Sequence, residues 1–510
     1  GTNRINPYTL GTATQGLVNY AQEVLERRDL KAAIAFDSRN NSQLFATKVA
    51  EVLSANGVHT YLFEDLRPTP ELSFAVRELG CDFGIVLTAS HNPKEYNGYK
   101  VYWNDGGQLV PPHDKGVIEK VRATGYSDVN WNKNEALIEK IGPDIDRKYI
   151  DMIAAQSINN DGKKDLNIVF TALHGTSIVS VPPALEQSGF TSVQIVADQA
   201  TPDGNFPTVA SPNPEEGAAL AMAVAQAEAT GADLVIGCDP DTDRVGIAVN
   251  DGTGKMQLLN GNDTAALLVH YVLSAHKAKG TIPSNGFTAA TVVTTDLLAD
   301  ISASFGVPCY RCLTGFKWIA DMINNRPEEQ FIVGGEESYG YLIGDQVRDK
   351  DAVASAVMIA EMAAFAKAQG RTVLQQLEAI HREFGQYQER LISITKKGRS
   401  GAQEIADMMT NLRNNAPKTL AGSPVIIAID HSNSTQTDLR TGATTSTELP
   451  ASNVLQFITE AGDKVSARPS GTEPKIKFYF SVRATTGESH AQTKAELEQK
   501  IDTFIEELNL

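Results

Sequence analysis

Cysteine is scarce: four in 510 residues cannot form a disulfide framework for a chain of this length. Cys81 and Cys238 lie in apolar, strand-like runs, which predicts small core side chains. Cys309 and Cys312 make a single C-x-x-C with no second pair to complete a zinc site, so a structural role is expected. No apolar run reaches the length of a membrane-spanning helix. Excess positive charge is missing too. Lys and Arg number 45 against 62 Asp and Glu, a net charge of −17, so nothing global draws the chain to nucleic acid or to an anionic membrane. An anionic ligand would have to be held by local basic groups and backbone N–H. No signal peptide is legible, and the cytoplasm is the expected compartment.

What is present is length and rhythm. A chain of 510 residues predicts three to four domains. Short Val/Ile/Leu-rich runs alternate with amphipathic or Ala-rich segments, as in "AAIAFDS" before "NSQLFATKVAEVLSANG", or "GAALAMAVAQAEATG" before "ADLVIGCDP". That alternation predicts α/β units on largely parallel sheets. No short-period repeat is visible, although the α/β portions could be divergent copies of one plan. From about Arg390 the rhythm changes: "RLISIT", "PVIIAID", "VLQFIT", "DKVSA" and "KIKFYFSV" crowd together between two helical segments. This predicts a separate α+β domain with an antiparallel sheet.

Three apolar strands end in polar clusters: "IVLT" in "ASHNP", "LVIG" in "CDPDTDR" and "FIVG" in "GEESYGY". Ligands of α/β sheets bind beyond the carboxyl ends of strands, so the three loops are expected to converge. In the second, Asp239, Asp241 and Asp243 repel one another unless a cation neutralises them, and hard oxygen donors suit Mg²⁺. An EF-hand is excluded, because Arg244 stands at the required Gly and Asn250 at the required Glu. Ser90 belongs to neither a G-x-S-x-G elbow nor an S-x-x-K pattern. In an extended segment its side chain would diverge from that of His91, which argues against a proton-transfer dyad. Ser90 would need a base or metal, or would itself carry a phosphoryl group.

"SARPSGTEPKIKF" joins Arg468, Ser470, Gly471 and Thr472 into a candidate phosphate cradle that is not a Walker A loop. Glu336 and Ser338 suit vicinal sugar hydroxyls. Thr314, Gly315 and Lys317 in "LTGFKW", and Lys350 in "VRDKD", are weaker candidates for phosphate or sugar contacts. His174 in "TALHGT" fits a satisfied structural histidine at least as well as a site residue.

The ordered motifs "TASHNP", "DPDTDR", "GEESYGY" and "RPSGTEPKIKFY" resemble the α-D-phosphohexomutase family, closest to its phosphoglucomutase/phosphomannomutase branch, over nearly the whole chain. The resemblance implies three related α/β domains with mixed, largely parallel sheets and a C-terminal α+β domain with an antiparallel sheet, around a central cleft. It divides the chain into a phosphoserine domain (1–145), a metal-binding domain (146–258), a sugar-binding domain (259–385) and a phosphate-binding domain (386–510). It implies that Ser90 is the phosphoserine, with Lys100 and His91 as further catalytic candidates. Mg²⁺ would be held by the Ser90 phosphate with Asp239, Asp241 and Asp243. Thr314, Gly315, Lys317, Glu336, Ser338, Lys350, Arg244, Arg468, Ser470, Gly471 and Thr472 would bind the substrate. The implied reaction interconverts glucose 1-phosphate and glucose 6-phosphate, with a hexose 1,6-bisphosphate as intermediate and activator. Mannose and other hexose phosphates are alternatives within the family; a phosphatase or a non-catalytic sugar-phosphate binder are alternatives outside it.

Family members carry a G-T-x-G-x-R-G segment near the start of domain one. The opening "GTNRINPYTLGTATQG" resembles the stretch immediately downstream of that segment, so the segment and the first strand of domain one are expected to be missing. No pattern sets an oligomeric state.

Overall fold

A computed structural model describes residues 4–396, 400–470, 474–484 and 489–510. The chain divides into two compact units: Gly1–Ala290 with Ser302–Tyr310 and Gly315–Gln376, and Thr291–Ile301 with Arg311–Thr314 and Leu377–Leu510.

Three mixed sheets account for the first fourteen strands. The first runs β4-β3-β1-β2-β5, from β1 (Lys31–Phe36), β2 (His59–Phe63), β3 (Phe83–Leu87), β4 (Tyr99–Trp103) and β5 (Ile138–Ile141). The second runs β10-β9-β8-β6-β7, from β6 (Asn167–Thr171), β7 (Ser192–Ile195), β8 (Leu234–Cys238), β9 (Val245–Asn250) and β10 (Met256–Leu259). The third runs β12-β11-β13-β14, from β11 (Gly286–Thr291), β12 (Cys309–Cys312), β13 (Gln330–Gly335) and β14 (Tyr341–Ile343).

The three sheets share one plan. Each takes four successive strands in the spatial order fourth, third, first, second, and β5 and β10 are additions at an edge in the first two; in the third sheet the order is β12-β11-β13-β14. In the first, the third strand pairs in parallel with the first and antiparallel with the fourth, as in Ile34↔Ile85 and Ile85↔Val101. β8 and β13 likewise pair in parallel with one neighbour and antiparallel with the strand that comes next in the chain. The expected divergent copies are therefore visible as topology. β3 and β8 are buried at every residue, which explains their unbroken apolar runs.

The helix Ala352–Ala368 is apolar around nearly its whole circumference and almost wholly buried. Its one interior acid, Glu361, would be costly there if unpaired. It accepts hydrogen bonds from Ile158 N (2.9 Å), Asn159 N (2.9 Å), Ser157 Oγ (2.5 Å) and Tyr271 Oη (3.0 Å), and pairs with Lys163 Nζ at 3.0 Å.

In the second unit an antiparallel sheet runs β15-β22-β21-β20-β17-β18-β19, with β16 beside β17. Its strands are β15 (Gln386–Thr395), β16 (Thr419–Leu420), β17 (Ser423–Asp430), β18 (Thr435–Asp438), β19 (Thr444–Ser446), β20 (Leu455–Thr459), β21 (Lys464–Pro469) and β22 (Lys475–Ala484). Ile405, Met409, Leu497, Ile501 and Phe504 from two helices cover Phe478, Phe480 and Val482. The closely spaced apolar runs of the C-terminal segment are these strands; polar β18 and β19 carry no such pattern. Among the described residues all four cysteines are free, and no single helix is long and apolar enough to cross a membrane.

Candidate active site

β3, β8 and β13 each pair in parallel on one side and antiparallel on the other, and the polar motifs are the loops that leave their carboxyl ends. Each loop bends through one non-glycine residue in the left-handed region: Ser90 (φ 52°), Thr242 (φ 59°) and Tyr339 (φ 64°). Such backbone is held only where the surroundings over-determine it, and it concentrates at functional sites. The Ser90 turn is fixed by its own N–H, which donates to Thr88 Oγ1 at 2.8 Å.

The first two loops meet at Ser90. Its Oγ donates to Asp239 Oδ2 at 2.7 Å and lies 3.2 Å from His91 Nδ1. The expectation that the Ser90 and His91 side chains diverge is thus corrected. It assumed an extended segment, and the left-handed turn at Ser90 brings the neighbours together.

Asp239, Asp241 and Asp243 are all buried, each offering an oxygen within 4.8 Å of the others. Asp239 Oδ1 accepts the N–H groups of Asp243 (3.1 Å) and Arg244 (3.0 Å). Asp241 Oδ2 accepts from Thr69 Oγ1 and Lys100 Nζ, both at 3.0 Å. Asp243 Oδ2 faces Lys350 Nζ at 3.1 Å and Lys100 Nζ at 3.5 Å. The remaining oxygens, Asp241 Oδ1 and Asp243 Oδ1, are buried without a hydrogen-bond partner. A divalent cation fits this donor set: hard oxygens, partly unsatisfied, in a buried cluster.

The charges are unevenly shared. Burial, then Asp241 and Asp243, push the Asp239 carboxyl well above the usual range. Burial pushes Asp243 up as well, but Lys350 and Lys100 overrule it and hold it below the usual carboxylate range. Burial works against the Lys100 and Lys350 ammonium groups; Asp241 and Asp243 keep the first charged, Asp243 and Asp349 the second.

The third loop joins through its backbone, since Val245 N donates to Tyr339 O at 3.0 Å. Glu336 is buried, and its Oε1 accepts Gly315 N at 2.8 Å. Gly315 has φ 113°, which a side chain would strain. Burial raises the Glu336 carboxyl against the opposing pull of Lys350 and Arg244. Ser338 is half-buried in the same loop. Arg244 pairs with Glu215, its Nε 3.8 Å from Asp243 Oδ1. Lys317 Nζ lies 3.8 Å from Asp114 and 5.1 Å over the Trp318 ring.

His174 is buried and saturated, by Thr201 O at 3.0 Å and Thr208 Oγ1 at 2.8 Å. Its role is structural. In the second unit, Arg468 lies on β21, Ser470 N donates to Lys475 O at 2.7 Å, and Thr314 Oγ1 is buried. Gly471 and Thr472 lie outside the described residues.

Sequence reading missed Asp37 and Arg39. They leave β1, the parallel neighbour of β3, and both are buried. The Arg39 guanidinium donates to the carbonyls of Ser90 (2.5 Å), Pro93 (2.9 Å), Tyr96 (3.1 Å) and Asn92, while Asp37 Oδ2 lies 3.3 Å from its Nε. The signal was available: "FDSRNNS" is a fourth polar cluster at a strand end. Asp349 and Tyr102, beside Lys350, were also missed.

Residues 1–127, 147–252 and 260–384 match, in turn, the alpha/beta/alpha domains I, II and III described as phosphoglucomutase/phosphomannomutase. A phosphoglucomutase of Staphylococcus haemolyticus is 35% identical over 497 residues, covering 96% of this chain and 89% of its own. A Haemophilus influenzae protein named probable phosphomannomutase is 35% identical over 508 residues, covering 98% and 97%. The open form of parafusin, a phosphoglucomutase of Paramecium, matches with a TM-score of 0.73 and 17% identity, covering 100% of this chain and 92% of that one. At that identity the likeness is one of fold.

Proposed function

The chain belongs to the phosphoglucomutase/phosphomannomutase family and is a phosphohexomutase; from that premise we propose that it interconverts glucose 1-phosphate and glucose 6-phosphate through a phosphoserine at Ser90. The observation that carries the reading is the 2.7 Å hydrogen bond from Ser90 Oγ to Asp239, inside a buried cluster of three carboxylates. A serine set against carboxylates alone would be repelled once phosphorylated; a serine set against a cation site is stabilised by phosphorylation.

In this reading phospho-Ser90 gives its phosphoryl group to the free hydroxyl of a hexose phosphate. The bond from phosphorus to Ser90 Oγ breaks as the bond to the sugar oxygen forms. The bisphosphate then turns end for end, and its other phosphate returns to Ser90. Asp239, Asp241 and Asp243 would hold Mg²⁺, which neutralises phosphoryl charge when bound. Lys100, kept charged by Asp241 and Asp243, adds fixed positive charge and is the group able to protonate Ser90 Oγ as it leaves. Glu336 and Ser338 bind sugar hydroxyls in both orientations, with Gly315 N orienting the Glu336 carboxylate. Arg468, Ser470, Gly471 and Thr472 hold the phosphate that is not reacting, and Thr314, Lys317, Lys350 and Arg244 complete the substrate contacts. The division at 1–145, 146–258, 259–385 and 386–510 assigns one task to each segment.

³¹P NMR of glucose 1-phosphate with the protein, Mg²⁺ and a trace of glucose 1,6-bisphosphate tests this. Glucose 6-phosphate should appear, and Ser90→Ala should abolish it. Inorganic phosphate instead would mark a phosphatase; no turnover with Ser90-independent binding would mark a binding protein. The Haemophilus influenzae relative's name supports a second sugar, so mannose 1-phosphate runs in parallel.

A further inference from the structure

The transfer proposed for Ser90 needs a cationic side chain held still beside Asp243, and the inference drawn here rests on that reading. The Lys350 ammonium lies 3.1 Å from Asp243 Oδ2 and 3.1 Å from Asp349 Oδ1. The other oxygen of Asp349 accepts from the Tyr102 hydroxyl at 2.6 Å and from Gln108 Nε2 at 2.8 Å. Tyr102 and Asp349 are fully buried. Tyr102 stands two residues after Lys100 on β4, so the two side chains leave the same face of the strand. Lys100 reaches the carboxylate cluster directly; Tyr102 reaches it through Asp349 and Lys350.

The lysine stem is confined as well. A Cβ on Gly340 would collide with Lys350 Cδ and Cγ, and the ammonium stands 5.6 Å over the Phe316 ring. A lysine left to itself is a point charge on a flexible four-carbon stem. Here that stem is walled on one side and its charge is tethered at the tip. All three sheets contribute, because Asp243 follows β8, Gly340 follows β13 and Tyr102 lies on the strand paired with β3.

We propose that Tyr102 and Asp349 are positioning residues that lock Lys350 against Asp243, and that Gly340 in "SYGY" is the opening through which its stem passes. Neither Tyr102 nor Asp349 needs to touch substrate. Their work is to remove the freedom of a cation that must face the transferring phosphoryl group without drifting toward solvent.

Tyr102→Phe deletes one hydroxyl and keeps the ring. In metal-free protein, Lys350 should become severalfold more reactive toward acetic anhydride, with Lys100 as internal reference, by peptide mass spectrometry. In the Mg²⁺-loaded enzyme kcat should fall about tenfold with KM within about twofold, the cost of a misplaced group. In a Lys350→Met background the same change should cost nothing further. Unchanged Lys350 labelling, or an equal loss of kcat in both backgrounds, overturns the proposal. If Tyr102→Phe fails to fold, Asp349→Asn tests the same points, since it keeps an acceptor for Tyr102 and loses the charge facing Lys350. Labelling does not depend on turnover. A wild type that labels as expected but shows no mutase activity would sink the functional reading and leave the positioning intact.

Discussion

Arg39 and Ser90 come from the ends of neighbouring parallel strands, and the guanidinium of the first donates to the carbonyl of the second at 2.5 Å. The same guanidinium serves the carbonyls of Asn92, Pro93 and Tyr96, so one side chain sets the course of the whole turn that presents the Ser90 hydroxyl. A planar fork can serve several carbonyls at once, and a lysine cannot.

Arg39→Lys should therefore lower kcat by about ten- to a hundredfold while leaving KM nearly unchanged, because the nucleophile shifts rather than the sugar contacts. Steady-state kinetics of the purified variant checks this. Activity within about twofold of wild type would show that the turn holds its shape without the clamp.

The carboxylate cluster makes a prediction about metal. Asp241→Asn replaces an oxygen pair on which Lys100 and Thr69 already converge, and it removes one of three charges. Mg²⁺ affinity by isothermal titration calorimetry should fall by at least about tenfold, since a hard cation selects charged oxygen donors. Equal affinity would place the ion elsewhere.

Stability away from the site rests partly on Glu361. Its carboxylate gathers two backbone N–H groups, two hydroxyls and the Lys163 ammonium in a buried setting. Lys163→Met leaves that charge without its counter-ion and should cost about 3–5 kcal/mol in chemical denaturation. KM should not change, because neither residue belongs to the proposed substrate site.

Asp351 supplies a pH dependence. Burial raises its carboxyl to about 6, although Ala354 N, Tyr149 Oη and Val353 N all donate to its charged form. Between about pH 4 and 6 the folded protein keeps a proton that the unfolded chain has released. Stability present at the acid end is thus lost as pH rises through about 6. Asp351→Asn has no proton to lose, so its stability relative to wild type should improve by about 2–3 kcal/mol across that window. Urea denaturation at about pH 4.5 and pH 7 measures the difference; parallel shifts in both proteins would refute it.

How much could be read from the sequence depended on what kind of signal each residue leaves. The strand ends were legible because β3 and β8 are buried on both faces and end abruptly in polar loops. Asp239, Asp241 and Asp243 were legible because alternating carboxylates at a buried strand end demand a cation. Arg39 and Asp349 were not, because they work on backbone carbonyls and on another side chain from distant segments, and spacing does not record such contacts. The Ser90–His91 contact was misjudged for a different reason. It depends on a left-handed backbone at Ser90, which residue type alone does not announce. Polar β18 and β19 escaped because hydrogen bonding to β17 and to each other, rather than apolar alternation, defines them.

The repeated sheet plan bears on how substrate choice can change over time. A loop that leaves β13 can lengthen or exchange residues without disturbing the pairing beneath β3 or β8, because each rests on its own parallel neighbour. Phosphoryl acceptor, cation site and sugar reader are thereby carried by separate, interchangeable segments of chain. Transplanting residues 336–341 from a relative with another sugar preference is accordingly the smallest graft that could retune selectivity while the phosphorylation chemistry stays where it is.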